Sequence, residues 1–326
     1  MKKQELLRRI GSIDTFCRAE EFVFTSGRAR GSRGIRVKCG DLAFTVLPDR
    51  AMDIAYAELA GIPLSYDSCT GIVSPAHYRE EDFLRSFTAG LLTTCGLVQT
   101  GAPCTDEGVN YGLHGRIGNT PAYDVAVSRG WEGEDYVLTI AGRIRQSATF
   151  GEHLELCRTI SVKLFSNTIN ICDTVINNGF EASPLMLLYH MNFGYPLVDA
   201  GTRFTTNAQN PIPATDVAAA GLQDACEFTA PQHGFSEQVF WYHSVQSTRA
   251  RLTNPDGLYA EISYDGSNLP YLIEWKQLGE GTYVVGMEPS TNTTAGRAAE
   301  KAAGRLGQLA PGEQKQFEVT LHFGKE

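Results

Sequence analysis

Residues 154–178 read LELCRTISVKLFSNTINICDTVINN. Apolar and polar residues alternate on both sides of Ser166-Asn167, with Ile160 and Val162 before this break and Ile169, Ile171 and Val175 after it. A period of two sends successive side chains to opposite faces, as half-buried antiparallel strands require. The same signature spreads outward from this run. Upstream lie GIRVKC (34–39), LAFTVLP (42–48), YDVAVS (123–128) and DYVLTIAGRI (135–144). Downstream come SPLMLLYHMNF (183–193), RARLTNP (249–255), YAEISYD (259–265), YLIEWKQL (271–278), TYVVGMEP (282–289) and KQFEVTLHFG (315–324). Gly, Asn, Asp and Pro separate them at the spacing of an all-β sandwich. No βαβ alternation appears, so a doubly wound or barrel architecture is disfavoured. The fold class expected is all-β, a large antiparallel sandwich in one continuous domain over residues 1–326. A few short helices interrupt it: KQELLRRI at 3–10, and weaker candidates at 79–87 and 295–306. Residues 200–237 lack the pattern and read as a long connection.

With 326 residues, 42% hydrophobic and 20% charged, the chain can bury a sizeable core. Its net charge of −9, with no basic cluster interleaved with aromatics, disfavours nucleic acid and anionic membranes as partners. No apolar run is long enough for a membrane helix, and the first residues have no signal-peptide core, so the cytoplasm is the expected location. None of the eight cysteines stands in C-x-x-C or zinc-finger spacing. They read as small buried hydrophobes, with no metal and no cofactor expected.

Candidate chemistry concentrates in a few stretches. His114 sits in YGLHGRIGN, where Gly112, Gly115 and Gly118 allow a sharp turn that exposes the ring, and Arg116 follows. His190 ends the strand LMLLYH, apolar on both faces, and opens MNFGYP with Asn192, which suggests a buried element reaching a cleft. Burial lowers a histidine's pKa and a nearby carboxylate raises it, so either setting suits acid–base work. Glu288, in TYVVGMEPSTN, ends a β-rich run before Pro289, where desolvation would make its carboxylate a competent base. In LPDRAMDI, Asp49, Arg50 and Asp53 lie between strands, and Arg50 could fork onto hydroxyls or an acidic group. Trp275 and Phe193 are aromatic candidates to line such a site.

LPDRAMDI, LLTTCGL, YGLHGRIGN, LLYHMNFGYP and YVVGMEPSTN, in that order, resemble the aldose 1-epimerases, and more narrowly a bacterial branch of the galactose mutarotase-like superfamily. The likeness runs from about residue 40 to 292, and its Leu-His-Gly and Tyr-His-x-Asn-Phe motifs are specific in combination. It implies a β-supersandwich holding a free sugar on one sheet and interconverting its α and β anomers by general acid–base catalysis. Glu288 would be the base and His190 the acid. His114 would hold a ring or hydroxyl oxygen, and Arg50 is a looser match to the family's substrate-binding arginine; Arg116, Asn192, Asp53 and Trp275 join them as substrate-binding candidates on their local settings. The family's substrate-binding Asp between the second His and the Glu has no clear counterpart, since Asp224, Asp256 and Asp265 stand in other contexts, and Arg116 occupies a usual Gly position. The partner expected is a small-molecule sugar, with a homodimer as a possible assembly. The alternatives are an epimerase or isomerase acting on an acidic or phosphorylated sugar, clamped by Arg50, Arg85 and Arg116, and a non-catalytic sugar-binding protein.

Overall fold

The structure is a computed structural model and describes residues 2–326. Its strands pair antiparallel throughout. Residues 154–178 form the hairpin read from their alternation: His153–Lys163 pairs with Thr168–Asn177, Leu154 opposite Asn177 and Val162 opposite Ile169. Phe165 and Asn167 take positive φ to close the turn. This hairpin lies inside an eight-stranded sheet that includes Ala122–Glu132, Asp135–Ser147, Gln314–Lys325, Leu258–Tyr264 and Thr248–Thr253.

A seven-stranded sheet faces it. Its strands run in the order Ile212–Pro213, Gln238–His243, Tyr271–Gly279, Thr282–Ser290, Ser183–Gly194 and Gly307–Leu309, with Thr93–Leu97 also paired to Ser183–Gly194. A five-stranded sheet of residues 17–63 adds to the same core. One hydrophobic cluster draws Leu156, Ile160, Ile171 and Val175 from the eight-stranded sheet and Leu187, Tyr189, Met191 and Phe193 from the seven-stranded one. Burial of this apolar area, at about 25 cal/mol per Å², is the main stabilising term.

The core face is not wholly apolar. Arg158 and Asp173 stand in the alternating inner positions of the hairpin, each fully buried. Their forked ion pair (2.9 and 2.7 Å) receives the Tyr189 hydroxyl from the opposite sheet at 2.8 Å. Arg158 also donates to Ala51 O and Thr94 Oγ1, so one guanidinium ties both sheets and the 51–53 turn together.

The helices are shorter than the sequence suggests. The N-terminal helix spans Lys3–Leu7, and the candidate at 295–306 shrinks to Arg297–Ala302. At 79–87 the chain forms only 3-10 turns over Glu80–Arg85, broken at Asp82 (φ −136°), because Phe83 and Phe87 are both pulled to one buried side. The 200–237 connection carries the strand Arg203–Thr206 and a helix at Asp216–Ala220 capped by Thr215. All eight cysteines are free thiols. Cys17, Cys39 and Cys95 are buried as expected, whereas Cys69 and Cys226 are exposed, both lying in loops.

Candidate active site

The outer face of the seven-stranded sheet is covered by loops, which is why Ser183–Gly194 is buried on both faces. Strand register builds the site there. Trp241 lies opposite Ile273, and Ile273 opposite Glu288. The pairs Met191–Met287 and Leu188–Ser290 bracket His190 and Glu288, which therefore face each other on adjacent strands. Trp241, Ile273, Glu288 and His190 thus form one row across four strands. The next row on the same face runs Val239, Trp275, Gly286 and Asn192. Gly286 is required by its neighbour: a Cβ there would stand 2.2 Å from Glu288 Oε1.

Over this floor opens a cavity of about 440 Å³. His190 Nδ1 and Glu288 Oε1 are 3.2 Å apart. Their alignment is not that of a hydrogen bond, and each atom is buried with no other partner. His114 enters from the 112–118 turn with φ +59°, a strained conformation for a non-glycine residue. Two hydrogen bonds hold it there. The His114 amide donates to Gly101 O at 3.0 Å, and the Gly101 amide donates to His114 Nδ1 at 3.3 Å. Because Nδ1 accepts, the ring proton sits on Nε2, available to an oxygen in the cavity. The three rings pack edge to face, His190 at 5.4 Å from His114 and 5.2 Å from Trp275 between centroids.

Electrostatics follow from burial. Desolvation raises the Glu288 pKa well above the carboxylate range, and the Glu237 charge pushes it further. Desolvation, reinforced by His114, drives His190 well below the usual imidazole value. Burial lowers His114 to about 4. Of the two partners, burial thus makes Glu288 the group that favours its protonated form and His190 the one that favours its neutral form.

Of the residues singled out from the sequence, the structure brings Glu288, His190, His114 and Trp275 around this cavity. It does not bring the others. Arg50 is buried elsewhere, donating to Val73 O and Asn119 Oδ1, because its turn folds inward under the loop at 73. Asp53 accepts from the Thr94 amide and hydroxyl and stands 3.6 Å from Arg158, a support for the strand that pairs with His190. Asn192 lies in the second row, but its amide turns to the carbonyls of Gly90 and His190. Arg116 points to the surface and pairs with Glu80. Arg85 pairs with Asp82 on the surface. Phe193 belongs to the inter-sheet core, one residue out of phase with the cavity face.

Sequence reasoning missed Glu237, Trp241, Phe83 and Phe87. Glu237 lies between His190 and Glu288 in the chain and lines the cavity, where its Oε2 accepts from Trp275 Nε1 at 2.9 Å. The signal was present in EQVFWYH (237–243), which alternates two apolar faces as a doubly covered strand does. Among the described residues no three His, Cys, Asp or Glu side chains gather as metal ligands.

This architecture is a galactose mutarotase-like fold. The chain belongs to the family described as a domain of unknown function, DUF4432, which matches residues 29–323. No curated protein matches it. Among solved structures, a putative aldose 1-epimerase from Klebsiella pneumoniae subsp. pneumoniae MGH 78578 superposes with a TM-score of 0.90 at 27% identity, over 99% of this chain and 86% of that one. A galactose mutarotase-like protein from Clostridium acetobutylicum (TM-score 0.68, 15% identity, 96% and 100% covered) shares the fold. So does a galactose 1-epimerase from Lactobacillus acidophilus NCFM (0.60, 12%, 95% and 99%).

Proposed function

We propose that this protein is an aldose 1-epimerase that interconverts the anomers of an uncharged reducing sugar. The observation that carries the reading is the approach of His190 and Glu288, 3.2 Å apart on the floor of one cavity and otherwise unpartnered. Anomerisation needs one group to take the proton of the anomeric hydroxyl and another to protonate the ring oxygen. In this reading the pair carries one titrating proton, which the raised pKa of Glu288 favours on the carboxyl. As sugar oxygens enter, that proton passes from Glu288 to His190. Glu288 then accepts the anomeric proton while the His190 imidazolium protonates the ring oxygen, and the C1–O5 bond breaks. Rotation about C1–C2 and the reverse transfers close the other anomer. A positioned acid or base contributes about 10²- to 10⁴-fold. His114 Nε2–H, fixed by Gly101, would stabilise charge developing on an oxygen.

The charge of the lining supports a neutral substrate over an acidic or phosphorylated one. Glu237 and Glu288 both face the cavity, and no Arg or Lys of the described residues lines it. The experiment is magnetisation-exchange NMR of reducing sugars with native protein and Glu288→Gln. The substitution should cut anomer exchange by about 10²-fold or more while sugar affinity changes little. Unchanged exchange in Glu288→Gln would remove the carboxylate from the mechanism.

A further inference from the structure

The cavity is divided between hydrogen-bonding groups and hydrocarbon. His190, Glu288 and His114 are engaged by the reacting end of a sugar in the reading above. Both lining tryptophans have already spent their polar edge: Trp275 Nε1 donates to Glu237, and Trp241 Nε1 donates to Thr294 Oγ1 at 2.9 Å. Thr215 Oγ1 accepts from the Ala218 amide as a helix cap. Among the lining side chains, only the Glu237 carboxylate and the two threonine hydroxyl protons remain for the other sugar hydroxyls.

The rest of the lining is apolar. Phe83 and Phe87 stack 5.4 Å apart beside the imidazoles, Phe83 at 5.4 Å from His114 and Phe87 at 5.1 Å from His190. Leu113 packs on them, and Leu84 stands at the mouth with 68% of its surface exposed. Any hydroxyl of a hexose that met this hydrocarbon would lose its water without replacement. A ring edge carrying hydrogen or methyl loses nothing and also covers Leu84.

We propose that the site takes a hydroxyl-poor reducing sugar, a deoxy or C-methyl sugar, whose hydrocarbon edge lies on Phe83, Leu84 and Phe87. The proposal rests on the anomerase reading and deepens it to a substrate class. Apolar sites discriminate against an added hydroxyl by on the order of 10²-fold at most.

The test pairs each deoxy sugar with the fully hydroxylated sugar of the same configuration: fucose with galactose, rhamnose with mannose, 6-deoxyglucose with glucose, 2-deoxyribose with ribose. Anomer exchange is followed by NMR on native protein and Leu84→Gln, and affinity by calorimetry on Glu288→Gln. At least one deoxy sugar should be exchanged with kcat/KM about 10- to 100-fold above its partner. Leu84→Gln, at an exposed position that folding tolerates, should reduce that preference several-fold. Equal or better turnover of every hydroxylated partner would overturn the proposal. Absence of exchange combined with tighter binding of deoxy sugars would overturn the anomerase reading and leave the substrate class standing. Absence of both exchange and binding across all pairs would overturn the two together.

Discussion

Glu288 gains its reactivity from what surrounds it rather than from its place in a motif. Its carboxyl is buried, faces a neutral imidazole, and occupies space that exists only because residue 286 is glycine. Gly286→Ala should therefore act on the site through displacement of Glu288 Oε1, since a Cβ at 2.2 Å cannot coexist with it. The expected result is a loss of anomer exchange of about 10²-fold with strands still formed, read by exchange NMR beside circular dichroism. Retained exchange in a folded Gly286→Ala protein would show that the carboxyl has another position from which to work.

Strand pairing explains why the site depends on groups far below it. His190 pairs with Thr93 on Thr93–Leu97. That strand is held from beneath by Asp53 and Arg158, which bond Thr94, and Arg158 is locked to Asp173 across the hairpin. Removing one member of a buried ion pair leaves the other charge without compensation, at a cost of about 3–5 kcal/mol. Arg158→Ala should lower unfolding free energy by this amount in urea denaturation. Arg158→Met with Asp173→Leu should recover much of it. If Arg158→Ala alone proves neutral, the network is not a tie between the sheets.

For the molecule as a whole, buried acids set the pH response. Burial raises Glu274 to about 7 and Asp53 and Asp67 to about 6, and lifts Glu288 as well. An acid whose folded pKa lies above its unfolded value of about 4 binds more protons when folded. Its stabilising contribution is full below pH 4 and is lost as pH rises through the folded value. His114 and His190 act in the opposite sense: their pKa values are depressed, so their contribution is present above about 6.5 and is lost as pH falls. Glu274→Gln keeps an acceptor for the Tyr242 hydroxyl and removes one titration. Its melting temperature relative to native protein should be higher at pH 8 than at pH 5, by on the order of 3 °C, measured by calorimetry. A difference independent of pH would mean that Glu274 is ionised throughout.

Alternation in residues 154–178 and in the strands around them dictates antiparallel pairing, because side-chain direction in a strand repeats locally every two residues. The family likeness drew attention to His114, His190 and Glu288 from the local settings of each residue. Neither could separate Arg50 from Glu237. Arg50 sits in a conspicuous stretch and turns inward, whereas Glu237 sits in an inconspicuous one and reaches the cavity. That outcome follows from the register of four strands and the path of the loops over them, which bring together residues far apart in the chain. The same holds for acidity: a carboxylate and an imidazole have ordinary pKa values in the unfolded chain, and only burial side by side at one cavity raises Glu288 and lowers His190.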